Sequence, residues 1–106
     1  MNFSLEQLNT FVAVYEQEAF SKAAIKLNKH RTTVAQVITS LEDQLAITLF
    51  DRLSRSVEPT EDAVLLYHYA KQILEQAKTL DRFALSLSFG GLESVTIAYA
   101  SFLPHH

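Results

Sequence analysis

Residues 20–45 read FSKAAIKLNKHRTTVAQVITSLEDQL, two helical patterns separated by three polar residues. In the first, Lys22 to Leu27, Ala23, Ala24 and Leu27 fall on one side. Ser21 is the candidate cap, and Phe20 and Ile25 are placed as an apolar staple around it. Asn28 to His30 is polar and turn-like. In the second pattern, Arg31 to about Leu45, Val34, Val37, Ile38, Leu41 and Leu45 recur at the spacing of a buried helical stripe. Two helices joined by so short a turn make a helix-turn-helix candidate.

The flanking sequence supplies the rest of a domain. Upstream, Ser4 and Gln7 have the spacing of a capping box, and Phe3 can staple onto Leu8. Leu5, Leu8, Phe11, Val12 and Tyr15 predict a helix to about Gln17 with one face in the core. Downstream, Ile47, Leu49 and Phe50, a polar tip Leu53-Ser54-Arg55-Ser56, then Val57 and Pro59 predict a two-stranded β-hairpin. Thr60 is placed to cap a long helix from Glu61 to about Ser88. Glu61 and Asp62 suit its positive end, and Gly90-Gly91 forms the stop. Leu66, Ala70, Ile73, Ala77, Leu80, Ala84 and Leu87 alternate spacings of four and three, the period of a coiled-coil seam. The alanines leave room for close approach, which predicts self-association. Glu93 to Phe102 contains a strand pattern with no partner strand left in the chain, so it is expected to pair with another copy or to begin a further domain.

The expected fold is therefore mainly α: a winged helix-turn-helix of three helices and a hairpin wing, followed by a long dimerisation helix. Residues 1–59 form the winged helix-turn-helix domain in this reading and residues 60–89 the linker helix. Residues 90–106 form a hinge and a strand that either pairs with another copy or begins a further domain.

Composition bounds the function. The chain's 106 residues suit one domain, and 48% apolar with 20% charged residues is ordinary for a folded soluble protein. The absence of cysteine removes disulfides, thiolate nucleophiles and thiolate metal ligands and suits a reducing cytoplasm. No run reaches a membrane span, and the amphipathic N-terminus is no signal peptide, so a soluble cytoplasmic protein without membrane contact is expected. The net charge of -3 argues against nucleic acid only if it is evenly spread. Residues 1–21 carry Glu6, Glu16 and Glu18 and no base. Residues 22–55 carry Lys22, Lys26, Lys29, Arg31, Arg52 and Arg55 against Glu42, Asp43 and Asp51, six bases to three acids and a local balance of +3. Local patches meet a phosphate backbone, not totals.

The outer face of the helix starting at Arg31 carries Arg31, Thr32, Thr33, Ala35, Gln36, Thr39 and Ser40. These are small, polar or basic groups with no acid before Asp43. Arg31 can pair with guanine, Gln36 with adenine, and Thr32, Thr33 and Ala35 can meet a thymine methyl or a phosphate. A polar face is also the default of any surface helix, and it is the setting that favours DNA. Ser21, Lys22, Lys29, Thr33, Arg52 and Arg55 flank that face as candidate phosphate contacts, although an isolated surface charge is usually only solvated. His30 can touch phosphate or close the turn, the turn role being the commoner. His30, His68, His105 and His106 lack metal-ligand spacing, Gly90-Gly91 lacks the context of a phosphate loop, and no Ser, His and Asp are arrayed as a nucleophile. No metal, cofactor or catalytic residue is expected.

These residues together resemble the N-terminal segment of LysR-type transcriptional regulators. The elements are Leu8, Phe11 and Val12; Phe20-Ser21, Ala23-Ala24 and Leu27; Val34, Ile38 and Leu41-Glu42; Leu45, Leu49-Phe50 and Arg52; then Arg55 and Pro59-Thr60-Glu61. The resemblance covers nearly the whole chain. It implies double-stranded DNA as partner, recognition of an inverted repeat by a homodimer with antiparallel linker helices, and further pairing into a tetramer in the full-length protein. It also implies a small-molecule effector bound by a C-terminal domain whose first strand resembles Ser94 to Ala100. The chain departs from the family where Ser-Gln-Pro-Ala-Val-Ser-Arg is replaced by His30-Arg31-Thr32-Thr33-Val34-Ala35-Gln36, so the family's base preferences do not transfer. By position the base-reading set is Arg31, Thr32, Ala35 and Gln36. Ala46 stands where the family often has glycine. Two other classes compete with this reading: a protein-interaction module with an oligomerisation stalk, and an enzyme fragment.

Overall fold

A computed structural model describes residues 2–52 and 57–89. Its elements are α1 (Leu5–Gln17), α2 (Phe20–Leu27), α3 (Arg31–Leu45), β1 (Phe50–Asp51), β2 (Glu58–Pro59) and α4 (Glu61–Phe89). This is a mainly α winged helix-turn-helix with a long helix after it. One compact unit reaches to Leu74, taking in the opening turns of α4, and a second begins at Glu75. No described helix is long and apolar enough to cross a membrane.

The capping box at the start of α1 is formed on both sides: Gln7 N donates to Ser4 Oγ at 3.1 Å, and Ser4 N donates to Gln7 Oε1 at 2.8 Å. The start of α2 differs from expectation. The helix begins at Phe20, with Ala19 extended at the cap position and no side-chain cap bond, and Ser21 lies inside the first turn. The physical reason is the aromatic ring. Phe20 is buried, its ring 6.3 Å from Phe50, so the start of the helix is held by packing in place of a hydroxyl. In α3, Val34, Ile38 and Leu41 are wholly excluded from solvent while Val37 and Leu45 are half-buried. With Phe11, Val14 and Leu49 they form the centre of the core. Thr10, the one buried polar side chain among the described residues, donates to Glu6 O at 3.0 Å.

All three helices of the head stop on a left-handed residue that is not glycine: Glu18, Asn28 and Ala46, with φ of 60°, 56° and 58°. Asparagine tolerates this region, whereas alanine's Cβ crowds the following carbonyl. The wing is shorter than its sequence pattern: Phe50 pairs with Pro59 and Asp51 with Glu58, and the tip Leu53 to Ser56 lies outside the described residues. What binds it to α3 is a carboxylate. Glu42 Oε2 accepts from Leu49 N at 2.7 Å and Phe50 N at 3.3 Å, while Oε1 accepts from Arg52 Nη2 at 3.0 Å. Thr60 then ties the wing to α4. Its amide donates to Leu49 O at 2.9 Å, its hydroxyl donates to Thr48 O at 2.6 Å, and Oγ1 accepts from Ala63 N at 3.2 Å, the expected cap.

The opening turns of α4 lie on the head. Ala63 and Ala70 are buried, and Leu66, Tyr67 and Leu74 pack against the same core. Two members of the expected dimer seam, Leu66 and Ala70, are thus turned toward their own chain, because their small and branched side chains fill the surface presented by the head. The Tyr67 ring stacks on Tyr15 at 4.0 Å with planes 9° apart, and its hydroxyl donates to Glu16 Oε2 at 2.5 Å. Lys71 and Lys26 reach the same carboxylate at 3.1 and 3.8 Å. The hydrogen bond from Tyr67 and the two lysines hold the Glu16 carboxyl below its ordinary value, against a smaller opposing effect of burial. The same bond is the main cause that pushes the Tyr67 hydroxyl up to about 12. The stop at Gly90-Gly91 and the strand at 94–100 lie outside the described residues.

Three outcomes are expected from stability measurements. Ala46→Gly raises the midpoint of urea unfolding without changing its slope, which corresponds to a gain in stability of about 1 kcal/mol. Glu42→Ala strands two partly buried amides and lowers stability by about 2–3 kcal/mol. The bond between Tyr67 and Glu16 is strongest with tyrosine neutral and glutamate ionised. Glu16, lowered in the fold, contributes above 4.5 and loses its contribution as pH falls below that value. Tyr67, raised in the fold, contributes fully below 10 and loses its contribution as pH climbs from 10 to about 12. The melting temperature of Tyr67→Phe should therefore lie below that of the unaltered chain near neutrality and converge with it at both extremes. A constant difference across the whole range contradicts the assignment.

Candidate nucleic-acid interface

The turn between α2 and α3 is made by backbone. Asn28, left-handed, directs its N–H to Ala24 O and Ile25 O, and Lys29 N donates to Ala24 O at 2.9 Å. His30 occupies the N-cap of α3 without a side-chain cap bond, so its exposed ring does not close the turn as base rates suggested. Since Val34, Ile38 and Leu41 point into the core, the 100° advance per residue turns the opposite face outward. Arg31, Thr32, Gln36, Thr39 and Ser40 are exposed there, and Thr33 and Ala35 are half-buried along its edge. The base-reading candidates therefore share one accessible face at the N-terminal half of α3, though Ala35 also packs against the core.

The candidate phosphate contacts divide into free and engaged groups. Ser21 and Lys22 are exposed in the first turn of α2, and neither Lys22 nor Arg31 forms an ion pair among the described residues. Lys29 is held by Glu6 at 2.6 Å, and the hydrogen bond it donates lowers the Glu6 carboxyl below its ordinary value. Lys26 is held by Glu16 at 3.8 Å. Arg52 is engaged on three sides: by Glu42, by Thr39 Oγ1 at 3.2 Å, and by the face of the Phe20 ring, whose centroid lies 5.0 Å from its guanidinium carbon. Arg31 approaches the same ring at 5.9 Å. Phe20 thus sits under two guanidinium groups, one held by Glu42 and one that has no anionic partner among the described residues. The sequence offered Arg52 as a phosphate contact but held no local sign that Glu42, ten residues earlier, would claim it. Arg55 lies outside the described residues.

On α4, the remaining seam candidates keep their exposure. Ile73 is exposed in the first unit; Leu80, Ala84 and Leu87 are exposed in the second, and Ala77 is half-buried. Two large side chains outside the seam, Leu65 at 64% and Tyr69 at 69%, are far more exposed than Leu66 or Ala70. A signal for them existed: once Ala63, Leu66 and Ala70 face the head, helical geometry sends 65 and 69 outward.

Comparison with known proteins places these features in a family. The family model described as bacterial regulatory helix-turn-helix protein, lysR family, matches residues 5–64. The transcriptional regulator AceR of Acinetobacter baumannii is 40% identical over 105 residues, which are 99% of this chain and 35% of that protein. The RuBisCO operon transcriptional regulator of Allochromatium vinosum is 32% identical over 101 residues, 95% of this chain and 33% of that protein. The chain thus spans about a third of the length of the curated relatives it matches. Among solved structures, the DNA-binding domain of BenM in complex with catB site 1 DNA superposes with a TM-score of 0.80 at 32% identity, covering 84% of this chain and all of that one. Full-length BenM superposes with a TM-score of 0.73 at 34% identity, over 77% of this chain and 27% of that one. With the family model matched over more than half of its length, this chain belongs to the bacterial regulatory helix-turn-helix proteins of the lysR family.

Proposed function

We propose that the chain is the sequence-specific DNA-reading part of a transcription regulator, with α3 entering the major groove. The observation that carries this reading is the outward face of α3, exposed and free of acid from Arg31 to Ser40 on a helix whose opposite stripe is sealed in the core. The BenM DNA-binding domain, which shares the fold at 32% identity, was solved on DNA. Arg31, Thr32, Ala35 and Gln36 read base edges. Ser21, Lys22, His30 and Thr33 contact phosphate directly; Lys29 and Arg52 do so by sharing or exchanging their carboxylate partners, and Arg55 does so from the wing tip.

In this reading the regulator acts as a homodimer on an inverted repeat. Ile73, Ala77, Leu80, Ala84 and Leu87 form the seam, joined by Leu65 and Tyr69, while Leu66 and Ala70 serve the head of their own chain. Tetramer formation and binding of a small-molecule effector belong to a fuller protein of the relatives' length, working in the cytoplasm. Residues 1–59, 60–89 and 90–106 then serve as DNA-binding domain, linker helix, and hinge to the effector domain. An interaction module without DNA readout is the competing reading, and affinity for duplex that is indifferent to salt would favour it.

Selection of bound duplexes from a random pool, with the mass of the selected complex, tests the proposal. Two chains on one inverted repeat are expected. Arg31→Ala flattens preference at one base pair of each half-site, whereas Lys22→Ala and Arg55→Ala weaken all sequences alike and lower the slope of log affinity against log salt by about one unit. Equal loss on every sequence for Arg31→Ala overturns the base-reading assignment.

A further inference from the structure

A cluster of side chains away from the α3 face joins three helices of the first unit. The last turn of α1 supplies Tyr15 and Glu16, α2 supplies Lys26, and the opening turns of α4 supply Tyr67 and Lys71. The Tyr15–Tyr67 stack, at 4.0 Å and 9°, fixes the separation and tilt of the two helices but leaves rotation about the stacking axis free. The Tyr67 hydroxyl removes that freedom by donating to Glu16 at 2.5 Å. Lys71 and Lys26 approach the same carboxylate from α4 and from α2, so one anion gathers all three helices. Beyond it, the bonds from Thr60 to Thr48 O and Leu49 O pin only the N-terminal end of α4, about which the helix can still pivot, and Ala63, Leu66, Ala70 and Leu74 add apolar packing that carries no directional bond.

We propose that Tyr15, Glu16, Lys26, Tyr67 and Lys71 form the joint that sets the angle of the reading head on α4, and that this joint makes the protein selective for the separation of two half-sites. The inference rests on the dimeric DNA-reading function proposed above. Each base pair added between half-sites shifts the second by about 3.4 Å and rotates it by about 34°. A head held at one angle follows such a change only by straining the joint or the DNA. A head free to pivot follows it readily. These five residues therefore act by positioning, without touching the bases, and their effect lies in spacing preference and not in base preference.

The experiment uses the 106-residue chain and its Tyr67→Phe and Glu16→Gln variants. Tyr67→Phe keeps the stacked ring and removes only the donor; Glu16→Gln keeps the shape and removes the charge that gathers the lysines. Binding is measured on duplexes bearing the selected inverted repeat with the spacer lengthened or shortened one base pair at a time, and on a duplex bearing a single half-site. The unaltered chain should prefer one spacing over its neighbours by about tenfold. Tyr67→Phe should bind the single half-site with unchanged affinity, and both variants should keep its base preference, while the spacing preference shrinks to about threefold or less. Variants as selective as the unaltered chain overturn the inference while leaving the proposed function intact, and so does an unaltered chain indifferent to spacing. Parallel loss on single half-sites and on every spacing assigns the cluster to folding alone and also overturns it. An unaltered chain that binds no repeat at all refutes the proposed function itself.

Discussion

Three side chains on α3, Val34, Ile38 and Leu41, are completely withdrawn from water, and the head is organised around them. They lie about one helical turn apart, so burying them fixes the rotation of α3 about its own axis, and with it the direction in which Arg31, Thr32 and Gln36 project. The neighbouring helices then have little choice: α1 supplies Phe11 and Val14 to the same core, and α2 supplies Ala23, which is wholly buried. Glu42, next to Leu41 on the same helix, carries this order into the wing by accepting the amides of Leu49 and Phe50 and the Arg52 guanidinium on a single carboxylate. Reading helix and the first strand of the wing are thereby tied through one side chain.

The charges of the head do more structural work than their number suggests. Lys26 and Lys71 share Glu16, Lys29 holds Glu6, and Arg52 holds Glu42, so acids that make the chain net negative lie against bases, Lys29 and Arg52 among the candidates for phosphate. An engaged lysine can still reach a phosphate, but it must share or leave its carboxylate, which lowers the net gain from each such contact. Among the described residues Lys22 and Arg31 carry no such tie, and each stands near the start of its helix. The positive end of the surface is thus narrower than a count over residues 22–55 implies, and it is centred on the N-terminal half of α3.

The long helix shows how one repeat can be divided between two tasks. Its pattern of leucine, isoleucine and alanine is regular over the full length of the seam. Yet Ala70 is buried within the head and Leu66 packs against the same core, whereas Leu80 and Leu87 are exposed. Small residues allow close approach, but they do not say to what. In the opening turns the covered side meets the core of its own head, with the tyrosine stack and the shared Glu16 carboxylate linking α4 to α1, and the outward side passes to Leu65 and Tyr69.

The local content of the fold was determined by the sequence alone. The capping box of Ser4 and Gln7, the Thr60 cap, the extent of α1 and α3, the wing's place between α3 and α4 and the outward face of α3 all depend on residues within a few positions of one another. Short-range sterics, hydrogen bonding and periodicity decide such features. Only the tertiary structure decided where α2 begins, which carboxylate each lysine and arginine holds, and which side of α4 is covered. These depend on groups far apart in the chain: Phe20 against Phe50, Glu6 with Lys29, and Glu16 with Tyr67 across a separation of 51 positions. Periodicity reveals that a helix has a face to bury. Which neighbour buries it is settled by packing, where a ring, a carboxylate and two alanines compete for the same surface.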